Sequence, residues 1–447
     1  MRKLALAGVF LLAACGQSET DRESDRATQA ANPAGLSPGR VGLSRVVAAG
    51  SSFAAVAADE SRAAEIGRDI LLSGGNATDA ATAMYFALAV TLPSAAGLGA
   101  SGACIVHDDK TKTAEAFVFP PIAAPGAIAG QSFAVPSSVR GITLMHIRHG
   151  QLRWEQTIAP AERLARFGVP VSRALSRDLQ AGASLVGADR EMRRIFAKAT
   201  GGTVTEGDSW VQTDLAGTLG VIRQRGGGEF FQGALARTLS EQVSQMGGSL
   251  PLEALRNAVP KAGPPVSEGF GTFARRLIYV APPPAAGALA LAGWKGQAPV
   301  GPTPADSGGF SSLVAVDGKA GAAACALSMG QLFGARMIVP ATGVLLAAPT
   351  PDAGSVSPVI IANPSNGEFT FAGAGGGSPT AAQATGAVAR ATVEGGQKLA
   401  AVLQARQGQG GTVNVIVCPS GLRSDAASCA GASDPAGAGL ALPAVGR

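Results

Sequence analysis

Residues 308–317 read GGFSSLVAVD, and this stretch decides how the rest of the chain is read. A Pro/Gly-rich approach, Gly296–Ser307, leads into it. The apolar run after the serines has the length and β-branched content of a buried strand. Two small hydroxyls, Ser311 and Ser312, stand where that strand begins, just past a Gly-Gly-Phe corner. A chain that cuts itself before such a residue leaves a nucleophile whose own α-amine acts as base. The same ten residues are equally the start of an ordinary strand, so the flanking sequence has to arbitrate.

The chain has 447 residues and opens with MRKLALAGVFLLAAC, a basic start followed by a short apolar run. That is a secretory signal, too short to span a membrane. Its ending, Leu12-Ala13-Ala14-Cys15, resembles a bacterial lipobox, which makes Cys15 the expected lipidated N-terminus, anchored in the cell envelope and facing the periplasm. A plain signal cleaved nearby is the alternative. Residues 16–45, rich in small, polar and charged side chains, read as a flexible tether. The rest of the chain is long enough to bury a large core. Hydrophobic residues make up 46% and charged ones only 15%, and the net charge of +5 is not clustered. With no basic stripe interleaved with aromatics, nucleic-acid binding is excluded.

Of the five cysteines, Cys104 and Cys325 lie in apolar strand-like runs and read as small core residues. Cys418 and Cys429 flank a Pro/Gly/Ser loop and can pair outside the cytoplasm. No metal-ligand spacing occurs, and no cofactor is implied. The three histidines, His107, His146 and His149, carry no sequence support for a Ser-His-Asp arrangement.

In chain order, Val47–Val56 reads as a strand, Ser61–Ser73 as an amphipathic helix ended by Gly74-Gly75, and Ala80–Val90 as a small-residue helix. A Gly-rich turn then leads into a hairpin, Cys104–Val106 and Ala114–Phe119. Later come the strand Leu277–Pro282, the helices Ala285–Trp294, Ala381–Thr392 and Lys398–Ala405, and a last strand, Val413–Val417. This is an α+β layer pattern.

Within that order, GGNATDAA (74–81) resembles the GGNAVDAA signature of γ-glutamyltranspeptidases. Gly97–Gly102, the VPSSVRG of 135–141, the segment from Trp154 through Pro160-Ala161 to Val171, and Pro282-Pro283-Pro284 are similar to further motifs of that family, in the same order. The resemblance covers residues 46–417. It implies a four-layer αββα N-terminal-nucleophile hydrolase fold, with 46–306 as the large-subunit region and 307–447 as the small one. The implied chemistry is self-cleavage, followed by transfer or hydrolysis of a γ-glutamyl amide such as glutathione. The two fragments would remain associated.

The resemblance also places residues. In a gap-free register from Asp317, the family's catalytic threonine falls on Phe310, its second threonine on Ser311 and its histidine on Ser312. A one-residue slip makes Ser311 the nucleophile, and a gapped register puts Ser307 there. The order of preference is Ser311, Ser307, Ser312. The family's aspartate for the α-amine falls on Asp352, and its serine pair on Gly354 and Ser355. Its oxyanion glycines fall on Gly376 and Gly377. The arginine that grips the α-carboxylate is replaced by Pro120 or Pro121, with Arg140 or Arg336 as candidate substitutes in space. These losses leave two readings open: a lipid-anchored amide hydrolase or transferase, and a non-catalytic binding or structural lipoprotein.

Overall fold

The computed structural model describes residues 53–271, 276–297, 308–350, 355–378, 380–407 and 409–444. The stretches read as signal and tether, the expected lipidation site Cys15, Ser307 and Asp352 all lie outside them.

The inner layers are two antiparallel sheets. From edge to edge, the seven-stranded sheet contains Leu440–Pro443, Ala55–Ala58, Phe310–Val316, Ala322–Ser328, Ser101–Asp108, Thr113–Phe119 and Lys261–Gly263. The six-stranded sheet contains Ala430–Ser433, Thr412–Val417, Glu368–Gly376, Val359–Asn363, Arg276–Val280 and Val266–Phe270. Thr412–Val417 is therefore not the last strand. One further strand follows it in its own sheet, and another closes the far edge of the first sheet.

Among the described residues three large cores, with one small cluster around Ala103, Val118 and Ala281, hold four layers together. The helices Ser61–Leu72, Ala77–Thr91 and Ser138–His149 cover the outer face of the first sheet. A second core lies between the sheets, and a third joins the six-stranded sheet to Gly287–Trp294, Ala381–Val393 and Leu399–Ala405. The Phe310–Val316 strand shows how sequence alternation builds this sandwich. Phe310, Val314 and Val316 point between the sheets, while Leu313 and Ala315 point to the outer helices. Both faces are covered, which is why the strand reads as an unbroken apolar run.

The GGNATDAA motif turns out to be architecture. All 15 residues of Ala77–Thr91 are buried, as expected of a helix without a polar face. Its start is a capping box: Asn76 Oδ1 accepts from the Asp79 amide at 2.9 Å and Asp79 Oδ2 from the Asn76 amide at 3.0 Å. Asp79 also accepts from the Gln151 and Leu152 amides and sits 3.2 Å from His146 Nε2. Burial pushes the Asp79 carboxyl up. The bonds from His146 and the Asn76, Leu152 and Gln151 amides outweigh it and hold the group below the usual carboxylate range. A depressed carboxyl stabilises the fold above its unfolded value of about 3.9, and that contribution is lost as pH falls through the lower folded value. Asp79→Ala, which strips a partner from several buried amides, is expected to cost about 2–4 kcal/mol in urea unfolding at pH 7. The difference should shrink toward pH 3.

Cys104 and Cys325 are not separate core thiols. They face each other across neighbouring strands and are joined in a disulfide spanning 221 residues of sequence. Cys418 and Cys429 form a second disulfide.

Candidate active site

Two glycines with positive φ, Gly308 (+63°) and Gly309 (+75°), turn the chain into the Phe310 strand. A side chain on Gly309 would run into the Gln331 backbone at 2.2 Å, so the corner is closed to other residues. Beside this corner lies a cavity of about 240 Å³. Its lining includes Asp59, Leu92, Arg177, Asp178, Gly308, Gly309, Phe310, Leu332, Gly377 and Thr412.

Ser311 and Ser312 both reach one carboxylate. Asp59 follows the Ala55–Ala58 strand, and its amide donates to the Ser312 carbonyl at 3.3 Å, extending the ladder between the two strands. Its Oδ2 accepts from the Ser312 amide at 2.7 Å, the Ser312 hydroxyl at 3.2 Å and the Ser311 hydroxyl at 3.3 Å. Its Oδ1 accepts from Asn414 Nδ2 at 2.9 Å and Thr412 Oγ1 at 3.2 Å. Asn414 also donates to the Ser312 hydroxyl at 2.8 Å. Burial pushes the Asp59 carboxyl up, and the bonds from the Ser312 amide, Asn414, Thr412 and the Ser312 hydroxyl offset this only in part.

The second half of the site comes from the other sheet. The Gly377 amide donates to the Phe310 carbonyl at 2.9 Å. That carbonyl belongs to the peptide bond just before Ser311. Gly376 lies against the same peptide: a Cβ there would stand 2.6 Å from Asp59 Oδ2 and 2.9 Å from Ser311 Cα. Glycine is required for the two sheets to close to this distance. Gly376 ends the strand Glu368–Gly376, so the run of glycines is an ordered strand end and not a loose loop. The arrangement combines a hydroxyl beside a carboxylate with a carbonyl held by a backbone amide from outside, which are the components of acyl transfer.

The other sequence candidates scatter. Ser355 lies outside the cavity lining, before the strand Val359–Asn363. Pro120 and Pro121 stand away from the cavity, beside Pro284 and Val356. Arg140 is stacked over Phe231 and donates to the Arg256 and Ala258 carbonyls, so it cannot stand in for the lost arginine. Arg336 does not line the cavity. Arg177 does, from the helix Arg173–Ala181, and it donates to the Ala436 carbonyl at 3.2 Å. None of the three histidines lines the cavity: His107 bonds the Ala320 carbonyl, His146 faces Asp79 and His149 faces Glu115. Among the described residues no cluster of three acidic, His or Cys side chains could hold a metal.

Sequence reasoning missed Asp59, Asn414, Thr412 and Arg177. Two of these left a trace. Asp59 ends an alanine run in a chain poor in charge, and Asn414 interrupts the apolar strand TVNVIV.

The γ-glutamyltranspeptidase family model matches residues 63–296. The chain belongs to this family. The glutathione hydrolase proenzyme of Bacillus subtilis is 32% identical over 252 residues, covering 51% of this chain and 41% of that protein. The glutathione hydrolase proenzyme of Escherichia coli is 30% identical over 253 residues, covering 52% and 43%. The chain thus spans about two-fifths of the length of these relatives. Cephalosporin acylase from Bacillus halodurans has the same fold over nearly its whole length: TM-score 0.73 at 19% identity, covering 92% of this chain and 98% of that one. The four layers are those of an N-terminal-nucleophile hydrolase. The family match stops before Gly308, so the chemistry of the Phe310–Val316 strand rests on its own geometry.

Proposed function

We propose that this γ-glutamyltranspeptidase family member cuts its own chain between Phe310 and Ser311, and then hydrolyses or transfers the acyl group of a γ-glutamyl or related amide with Ser311 as nucleophile. The observation that carries this reading is the Gly377 amide on the Phe310 carbonyl, with the Ser311 hydroxyl immediately after it. In the cut, Ser311 Oγ adds to the Phe310 carbonyl carbon, and the Gly377 amide stabilises the negative charge on the carbonyl oxygen. The bond to the Ser311 nitrogen then breaks, leaving an ester and a free α-amine. Water opens the ester. Phe310 lines the cavity while Ser311 beside it is fully buried, and in this reading the freed Phe310 end moves aside after the cut and opens the cavity onto the new N-terminal hydroxyl.

In this reading the boundary between the large-subunit and small-subunit regions, expected at 306/307, moves to that bond. The cavity's arginine, Arg177, faces the carboxylate end of the substrate, the role that Pro120 cannot fill. Arg177→Ala is expected to raise KM for a γ-glutamyl amide about 10–100-fold with a smaller change in kcat, since a carboxylate grip holds ground and transition states alike. An effect confined to kcat would remove Arg177 from substrate binding. The signal sequence and two disulfides support an envelope location outside the cytoplasm, with Cys15 as the lipid anchor.

Intact mass under reducing conditions, followed by assay against γ-glutamyl amides, tests the whole reading. Two fragments and turnover are expected. An uncut chain that releases no amine would favour the second reading, a non-catalytic binding protein. That reading is supported by the full burial of Ser311 and the loss of the arginine at Pro120.

A further inference from the structure

We propose that Asp59 is the general base for self-cleavage, held in position by Asn414 and Thr412 from the facing sheet. The inference rests on the reading of Phe310–Ser311 as the bond that is cut.

Before the cut, the Ser311 nitrogen is locked in a peptide bond and cannot take a proton. The base that serves the mature nucleophile does not yet exist, and another group must accept the hydroxyl proton. No histidine lines the cavity, and Asp178, its other carboxylate, accepts from the Ser94 hydroxyl at 2.5 Å. The Asp59 carboxylate is the group in contact with the Ser311 hydroxyl. At 3.3 Å that contact is long, as such contacts are before the reaction draws them in.

The surroundings argue for a charge kept for chemistry. Asp59 receives five hydrogen bonds, all from neutral donors. Among the described residues no cation pairs with it. An uncompensated carboxylate is costly to bury, and a staple between the sheets could be made by a neutral amide at lower cost. Asn414 and Thr412 fix Oδ1, which turns Oδ2 toward the two serines. Asn414 is fixed in turn by the Ser433 hydroxyl.

The step balances. The Ser311 proton passes to Asp59 Oδ2 as Oγ bonds to the Phe310 carbon. Asp59 returns it to the Ser311 nitrogen as the carbon–nitrogen bond breaks. The products are an ester and an amine, and water then divides the ester into a carboxylic acid and the free hydroxyl.

Only the ionised carboxylate can act. Burial raises the pH at which it ionises, so cleavage gains speed across a window above the ordinary carboxylate range. The strand Phe310–Val316 brings no titrating group to Asp59, and Thr412–Val417 brings only Thr412 and Asn414. Besides Asp59 itself, the charged groups lining the cavity are Arg177 and Asp178. The neighbouring Glu60 is turned away, to the Arg62 and Ala63 amides and the Thr91 hydroxyl.

The test tracks fresh full-length chain from cell-free synthesis, sampled over time at pH 4–8 on reducing gels. Asp59→Asn is expected to slow cleavage by at least about 10²-fold, the usual reach of a general base. Hydroxylamine, which opens esters, should release no fragment from it. Thr412→Val keeps the carboxylate but removes a bond that favours its charge, so the pH midpoint of cleavage should move upward. It serves as the deciding variant if Asp59→Asn does not fold by circular dichroism. Wild-type speed in Asp59→Asn, hydroxylamine release from it, or an unmoved midpoint in Thr412→Val would each overturn the assignment. Failure of the underlying reading looks different: wild type itself stays whole at every pH.

Discussion

Ser311→Ala is expected to remain one chain on a reducing gel, while wild type divides into a fragment ending at Phe310 and one running from Ser311 to Arg447. The effect is all or none, because the substitution removes the atom that attacks. It leaves the fold nearly untouched. Among the described residues the Ser311 hydroxyl bonds only Asp59, at 3.3 Å, and alanine is the smaller residue in a fully buried position. Losing one such bond costs about 1 kcal/mol, small against the stability of a large domain. Ser312→Ala is the matched control. It removes a hydroxyl that bonds Asp59 and Asn414 but keeps the one that attacks, so its chain should still be cut, more slowly than wild type. An uncut Ser312→Ala beside a cut Ser311→Ala would move the nucleophile by one residue.

The second large effect concerns what joins the halves afterwards. Cleavage at Phe310–Ser311 puts Cys104 in one fragment and Cys325 in the other, and the disulfide between them then links the two covalently. Wild type should therefore run as one full-length species under denaturing, non-reducing conditions and as two once reductant is added. In native solution reductant should not separate them. Ser311–Val316, the part of the Phe310–Val316 strand in the small fragment, is paired between Ala55–Ala58 of the large one and Ala322–Ser328 of the small one, and Ala322–Ser328 in turn pairs with Ser101–Asp108 of the large one. Parting the halves means opening the centre of a seven-stranded sheet. In the uncut Ser311→Ala chain the same bridge closes a long loop, for which chain-entropy arguments give about 5 kcal/mol. A Cys104→Ala/Cys325→Ala double substitution in that background should lose a few kcal/mol in urea unfolding. Both fragments appearing without reductant would refute the link. The second disulfide, Cys418–Cys429, lies wholly within the small fragment and has no part in this readout.

Much of the fold was legible because its elements carry local signals. The Asn76–Asp79 box marks the start of the central helix, and the all-small apolar run behind it states that this helix has no solvent face. The unbroken LVAV after Ser312 states that its strand is covered on both sides. The last two strands were not legible, since AGAS and LALP are only four residues each and acquire their identity only from the ladders they join. The bridge between Cys104 and Cys325 was missed for a related reason. Each lies in a run that reads as plain core, and only the register of two distant strands sets them opposite each other.

The site divides in the same way. Its glycines and serines sit in two short recognisable stretches, and the structure brings those stretches together at the Phe310–Ser311 peptide. Asp59, Thr412 and Asn414 meet there from positions some 350 residues apart in sequence. No periodicity or motif connects them, because the connection is made by the packing of one sheet on another. Arg177 belongs to a helix whose sequence, RALSRDLQA, gives no reason to prefer it over its neighbours.

The central claim is that this chain cuts itself before Ser311, and the most direct measurement is the intact mass of the reduced wild-type protein, with N-terminal sequencing of the smaller species. The account predicts two masses, the smaller beginning Ser311-Ser312-Leu313-Val314. A single uncut mass after reduction, or a smaller fragment that begins at Ser307 or Ser312, would contradict it.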